Sequence, residues 1–330
     1  MVIQLGQALP GSVTIVEKPH AFYGATYDVV IERGSGRWNS VRNFLLGPWM
    51  FGSIAARARG VIYVGERGFL HAADDEREWE FRFLRSRGRH AVVVFTGNDI
   101  RSPELMTRFA EETGFDNIGA ILKRQGAPFD TEVYETVRRR RANICDRHAS
   151  AIFTAPIDQL SYLTSSTLPF PYLYPDANFA GDQRKFDELE EIRIVHAPSN
   201  PALKGTAVVR TTMERITEEF SNVTYIELTD VDNETVRKTL ADAHIVLNQF
   251  HAYMPGVFGI EAMAHRCVMV CSADPSVEPA LEGADGAWVI ASPDTLHESL
   301  SSLLKDPTAL ARQADRGYLW AREYASESGR

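Results

Sequence analysis

The apolar positions of this chain fall into short continuous runs separated by amphipathic stretches. Ala91-Val92-Val93-Val94-Phe95 has no polar member, as expected of a parallel strand buried on both faces. Runs at Ile192–Val195, Val223–Leu228, Ile245–Leu247, Val268–Val270 and Trp288–Ile290 predict further strands. Val61–Val64 and Ala151–Thr154 do the same in the first half, and Ser12–Val16 and Tyr27–Ile31 add two near the start. Helical patterning fills the intervals: Met1–Leu9, Trp38–Ala58, Asp75–Ser86, Pro103–Thr113, Thr131–His148, Thr206–Phe220, Asn233–Ala241, Asp294–Leu304 and Pro307–Tyr324. Ser102 followed by Pro103 has the form of an N-cap and first helical position. Strand and helix alternate throughout, which predicts an α/β protein of two doubly wound, Rossmann-like domains with parallel sheets.

Pro169, Pro171 and Pro175 interrupt regular structure, and the charged stretch Asp182–Glu191 follows. The expected organisation is therefore an N-terminal domain over 1–175, a linker over 176–191 and a C-terminal domain over 192–306. A terminal helix over 307–330 is expected to return toward the N-terminal domain.

One stretch carries chemistry beyond this alternation. After the apolar Ala243–Leu247 comes His251-Ala-Tyr-Met-Pro-Gly-Val-Phe-Gly-Ile-Glu-Ala-Met-Ala264, a strand, a glycine loop and a helix start. A helix start offers free N–H groups and a partial positive charge, which suit a phosphate. Gly256 and Gly259 allow close approach of a ligand, and the Glu261 carboxylate can accept bonds from sugar hydroxyls. An ordinary βα unit with a capping glycine would read the same way. Lys204 lies in the loop after the second domain's first strand, so it can face the same cleft. A lysine, an opened backbone and a carboxylate together match a sugar linked to a nucleoside diphosphate. In the first half, Asp99 and Arg101 follow a buried strand where open α/β sheets place ligands; alternatively they pair with each other to brace the loop. The run Arg138–Arg141 reads as a solvated helix face, with an anionic surface as the other reading.

Composition narrows the classes. The 330 residues hold 35 Lys and Arg against 44 Asp and Glu, a net charge of −9, which argues against a general nucleic-acid binder. The three cysteines, Cys145, Cys267 and Cys271, form no CxxC pair, which fits core packing in a reducing, cytoplasmic setting. No run of 18 apolar residues exists; Phe44–Ala58 is the most apolar helical stretch and is broken by Gly47-Pro48, Gly52 and Arg57. It reads as a buried or interfacial helix, which leaves peripheral membrane contact open.

The quoted stretches resemble a known family. His196-Ala-Pro-Ser-Asn-Pro-Ala-Leu-Lys-Gly-Thr206 and Gln249–Ala264 look like the nucleotide-sugar half of GT-B glycosyltransferases of the family 1 and family 4 group. Asp285–Asp294 and Gly97-Asn-Asp-Ile-Arg101 are similar to further segments of that group. The resemblance covers 192–304 well, 91–178 moderately and the start poorly. It implies two Rossmann-like domains facing across a cleft, here with a reduced N-terminal domain. It implies transfer of a sugar from a nucleotide-diphosphate donor to a glycan, lipid or small-molecule acceptor, with retention and without a metal or other cofactor. Residue by residue, it places Lys204 on the diphosphate, Glu261 on the ribose, and Gly256, Val257, Phe258 and Gly259 along the sugar and phosphate. Leu228 and Val231 would flank the base, Asn200 would offer a neutral bond, and Asp99, Arg101 and His251 are candidates at the reacting centre. Departures also appear. Tyr253 stands where the first glutamate of the Glu-x7-Glu motif belongs, Pro198 falls near the usual arginine, and Thr96 takes the place of the acceptor-side histidine, for which His20 or His251 could substitute. These departures give the alternative: a nucleotide-sugar-binding protein with degenerate or lost transfer. An epimerase or dehydrogenase would need a dinucleotide fingerprint, which Arg33-Gly-Ser-Gly36 does not supply.

Overall fold

A computed structural model describes residues 1–17, 26–31, 37–70 and 75–329, with side chains from 45 onward in the second helix. The chain divides into two compact units. The first comprises Met1–Gly114 and Leu122–Phe170; the second comprises Phe115–Ile121 and Pro171–Arg330.

The first unit begins with α1 (Val2–Ala8), β1 (Ile15–Val16) and β2 (Val29–Val30), the two strands pairing parallel. There follow α2 (Arg37–Arg57), β3 (Gly60–Val64), α3 (Glu78–Ser86), β4 (His90–Val94), α4 (Pro103–Thr113), α5 (Ile118–Arg124, whose residues to Ile121 belong to the second unit), α6 (Glu132–His148), β5 (Ala151–Thr154) and β6 (Leu168–Pro169). Strands β3-β4-β5-β6 form a parallel sheet in that order. The apolar run is its centre: Ala91, Val93, Val94 and Phe95 are all buried, and Ala91, Val93 and Phe95 pack in one cluster with Phe81, Leu84, Ile144 and Ile152. Helix α4 starts as its sequence requires, with the Ser102 hydroxyl accepting from Leu105 N at 3.1 Å and Pro103 at the first position. Helix α5 was not expected from the pattern.

The arginine run in α6 differs from its expected solvated face. Arg138 and Arg141 are buried; Arg139 and Arg140 face outward. Positions three apart share a helix face, so a run of four necessarily sends two side chains inward once Ala142 and Cys145 are core. Arg141 is held by Glu76 at 2.5 Å and Glu66 at 3.0 Å. Arg138 lies over the Tyr134 ring at 3.4 Å and donates to the Asn98 carbonyl at 3.2 Å.

The second unit contains β7 (Ile192–His196), α7 (Pro201–Lys204), α8 (Thr206–Glu219), β8 (Val223–Glu227), α9 (Asn233–Asp242), β9 (Ile245–Leu247), α10 (Gly256–Ala264), β10 (Val268–Cys271), β11 (Val289–Ile290), α11 (Leu296–Lys305) and α12 (Thr308–Tyr324). All five strands are parallel, in the order β11-β10-β9-β7-β8. From β7 the chain moves one way to β8, then returns past β7 to β9 and continues outward. The strand order therefore reverses between β7 and β9, and the loops leaving their carboxyl ends open a crevice there. Buried Ile194, Ile245, Leu247, Val268 and Val270 make the sheet's core against Val209, Met213 and Leu300. Helix α12 packs on α10 and β10, and Tyr174 N donates to the Ala325 carbonyl at 2.6 Å, which fastens the end of the chain within this unit. The three cysteines are buried and free; burial pushes the Cys145 thiol up to about 11 and Cys271 to about 12, so both are packing residues.

Candidate functional site

The crevice between β7 and β9 is built from four short segments. The first leaves β7 at His196, whose ring is fully buried. The Leu247 carbonyl can only accept, so His196 Nδ1 carries the proton and donates at 2.7 Å, while Nε2 accepts from Thr206 Oγ1 at 2.9 Å. Burial lowers the pKa of this imidazole, consistent with the neutral form. His196 thus ties the ends of β7 and β9 to the start of α8.

Asn200 caps α7, its side-chain oxygen accepting from Leu203 N at 3.2 Å, and Pro201 follows at the first helical position. Gly205 ends the turn with φ +76°, a conformation that favours glycine. Lys204, in between, reaches across the crevice and donates from Nζ to Gln249 Oε1. Gln249 in turn donates to the Met254 carbonyl, so one side chain links the lysine loop to the glycine loop.

The second segment is the start of α10. Its N-cap residue, Pro255, has no side-chain acceptor to offer. Gly256 has φ +67°, and its N–H donates to the Tyr172 hydroxyl at 3.1 Å. A Cβ on Gly259 would lie 2.7 Å from both Asn248 Nδ2 and Met269 Sδ, so only glycine fits between helix and sheet. Val257 is exposed at 46%, and Phe258 and Leu228 both pack against the buried cluster of Val195, Leu240, Val246 and Ala262. Glu261 is buried one turn further on; its Oε1 accepts from Asn233 Nδ2 at 2.9 Å. Burial raises the Glu261 pKa, opposed by the Asn233 bond and the charge of Arg237. Leu228 and Val231 follow β8 and are half-buried; Leu228 N donates to the His196 carbonyl at 2.9 Å.

The last segment, Phe115–Ile121, belongs to this unit although it lies early in the chain. The Asp116 carbonyl accepts from His251 Nδ1 at 2.7 Å, and Ile118 N donates to the His251 carbonyl at 2.8 Å. That bond fixes the proton on Nδ1 of the neutral ring and leaves Nε2 as the acceptor, on the side of Gly205, whose Cβ position is 3.4 Å away. Tyr253 is buried against the Phe115 ring, 4.9 Å between centroids.

In the first unit, Asp99 and Arg101 follow β4 as expected but do not pair with each other. Asp99 Oδ2 accepts from Thr96 N and Thr96 Oγ1, both at 2.8 Å, and burial raises its pKa. Arg101 is buried, with Nε on the Asp158 carbonyl at 2.8 Å, Nη2 on Asp158 Oδ2 at 2.7 Å and Nη1 on Asn98 Oδ1. Both side chains are committed to bracing loops.

No protein-family model and no curated protein matches the sequence. Solved structures do. Sucrose-phosphate synthase from Thermosynechococcus elongatus matches over 90% of this chain and 79% of its own, with a TM-score of 0.51 at 12% identity. TarM, from S. aureus, matches over 86% of this chain and 56% of its own, with a TM-score of 0.53 at 12% identity. HepE from Anabaena, solved with UDP-glucose, matches over 86% and 78%, with a TM-score of 0.50 at 11% identity. The fold is GT-B.

Within this GT-B chain, the second unit gathers Asn200, Lys204, Leu228, Val231, the 256–259 turn, Glu261 and His251 around one strand-order reversal. Asp99 and Arg101 lie in the first unit. Gln249, Asn233, Tyr172 and the His196–Thr206 pair were not singled out from sequence. Each acts through a neighbour remote in the chain: Tyr172 meets Gly256 across 84 positions, and spacing carries no trace of that contact. His20 and Arg33–Gly36 lie outside the described residues. Among the described residues no helix is long and apolar enough to cross a membrane, and no group of three or more His, Cys, Asp or Glu is placed to hold a metal.

Proposed function

We propose that this protein is a glycosyltransferase that moves a sugar from a nucleoside-diphosphate donor to an acceptor hydroxyl, with the donor held in the second unit. The observation that carries the reading is the convergence of Lys204, the glycine-opened start of α10 behind Pro255, and buried Glu261 on one strand-order reversal. That crevice is where open parallel sheets take nucleotides, and HepE of the same fold was solved with UDP-glucose.

In this reading the diphosphate lies over the start of α10. The amide of Val257 and the helix dipole favour its charge, the Gly256 N–H being held by the Tyr172 hydroxyl, and Lys204 turns from Gln249 to a phosphate oxygen. Glu261, kept in place by Asn233, accepts from ribose hydroxyls, and Leu228 and Val231 flank the base. Asn200 holds the turn that aims Lys204. Transfer breaks the bond between anomeric carbon and phosphate oxygen, with the electron pair leaving on the diphosphate. The acceptor oxygen forms the new bond and gives up its proton to the departing diphosphate oxygen. Lys204 and the helix start neutralise the leaving charge, so the reading requires no metal. His251 Nε2, an acceptor by tautomer, faces this loop and is the residue assigned to the reacting sugar. Asp99 and Arg101 are assigned as braces.

Titration calorimetry with UDP-glucose tests the donor site. Lys204→Ala is expected to weaken binding by about tenfold or more, the worth of one charge-assisted contact; equal affinity in the variant would sink the assignment. A second reading, donor binding without transfer, is favoured by Tyr253, which brings a ring where the resemblance places a carboxylate. Release of UDP from UDP-glucose by the wild type, lost in Lys204→Ala, selects transfer; tight binding without release selects the second reading.

A further inference from the structure

The loop leaving β3 and the turn into α3 border a cavity of about 420 Å³, within the range of small-molecule sites. Its wall carries five carboxylates and three arginines, all from the first unit. Two of the arginines are matched by carboxylates. Arg67 pairs with Glu17 at 3.2 Å, and Arg141 pairs with both Glu66 at 3.0 Å and Glu76 at 2.5 Å. The third, Arg77, is only 4% exposed, and its side chain makes one hydrogen bond, from Nη1 to the Gly65 carbonyl at 2.9 Å. Its Nε and Nη2 have no partner among the described residues.

The surroundings hold this guanidinium in place without satisfying it. The Tyr63 and Phe81 ring centres lie 5.4 Å and 5.3 Å from it; they attract the charge but offer its N–H groups no oxygen. Glu76 and Arg77 are consecutive non-glycine residues with φ +53° and +70°, a strained turn. The Asp75 carboxylate secures it, accepting from Arg77 N at 3.1 Å and from Trp79 N at 2.8 Å. Gly68 packs against the same side chain: a Cβ there would lie 2.8 Å from Arg77 Cγ. Burial disfavours the Arg77 charge and lowers its pKa. A buried cation with two unused donors is unfavourable by itself, and an anionic group brought in by a ligand relieves it.

Nε and Nη2 form one edge of the guanidinium, the fork that takes both oxygens of a carboxylate. The rest of the wall opposes a plain anion. Arg141 is one cation against Glu66 and Glu76, so that end keeps a net negative charge, and the Glu66 side chain is 44% exposed. Arg77 Nη1 reaches Gly65, the residue before Glu66, so the two opposite charges meet at one stretch of loop. We propose that this cavity binds a small zwitterion, in the simplest case an α-amino acid, with its carboxylate on Arg77 and its ammonium group on Glu66. The inference uses only the first unit and does not depend on the donor site.

Titration calorimetry of the full chain with the standard α-amino acids tests it. At least one should bind, and its amide and its des-amino analogue should each bind about tenfold more weakly or worse, the worth of one charged contact. Arg77→Gln should bring the acid and its amide to equal affinity. Glu66→Gln, at an exposed side chain, should bring the amino acid and its des-amino analogue to equal affinity, and it decides the matter if Arg77→Gln fails to fold. Circular dichroism melts check both variants. Absence of binding by every amino acid to the wild type overturns the proposal. A des-amino analogue that binds the wild type as tightly as its parent also overturns it, marking a site for anions alone. Undiminished discrimination in folded Glu66→Gln does the same.

Discussion

At Glu261 the folded protein holds a carboxyl group away from water with one side-chain donor. Its pKa is raised because burial disfavours the charge more than Asn233 supports it. The folded state then binds the proton more tightly than the unfolded chain does. Glu261 contributes its full stability below the ordinary value of 4.5 and loses it as pH rises through the higher folded value. Glu261→Gln should therefore melt above the wild type at pH 7, with the gap closing below about pH 4.5. Parallel melting curves across that range would contradict the assignment. The same residue was legible in sequence as a carboxylate beyond a glycine loop, because helix starts and glycines are local signals. Its partner Asn233 was not, since it comes from α9, 28 positions away. The arginines of α6 were misread for a related reason. A charged run says solvent until the carboxylates that bury it, here Glu66 and Glu76, are placed by other elements.

Among elements, α10 is the one whose sequence most directly dictates its packing. Gly259 touches Asn248 and Met269 where no Cβ fits, which sets the helix close against the sheet and brings its first amides to the crevice. Gly259→Ala should destabilise the protein by about 1–3 kcal/mol, the usual cost of overpacking a close contact. Chemical denaturation measures this, and a loss below roughly 0.5 kcal/mol would show that helix and strand separate freely, since ordinary surface changes stay within that range. The strand runs were legible because a parallel strand buried on both faces needs an unbroken apolar sequence, as at Ala91–Phe95. Helix α5 was missed because only seven residues, Ile118–Arg124, give too few turns for a period to register.

For the molecule as a whole, the GT-B fold was legible from alternation together with two motif stretches, while the allocation of Phe115–Ile121 to the second unit was not. Alternation reports the order of elements and is silent about which unit a connecting segment joins. Donor occupancy makes a molecule-wide prediction. A saturating nucleotide sugar should slow amide exchange at the α10 start and the 200–206 turn and leave the β3–β6 sheet unchanged. Uniform protection of both units would count against a donor site confined to the second. Ligand at a hundred times its Kd should also stabilise the unit that binds it by about 2.7 kcal/mol.

The early segment has a consequence for how the protein is made. Phe115–Ile121 leaves the ribosome ahead of residues 122–170, which belong to the first unit, and before any of Pro171–Arg330. During synthesis, the piece that will hold His251 and cover Tyr253 is finished long before the residues it serves. A gene fragment starting at Pro171 would encode every strand of the second sheet and still lack the Asp116 carbonyl that fixes the His251 tautomer. The two units are thus separable as compact bodies and inseparable as translation products.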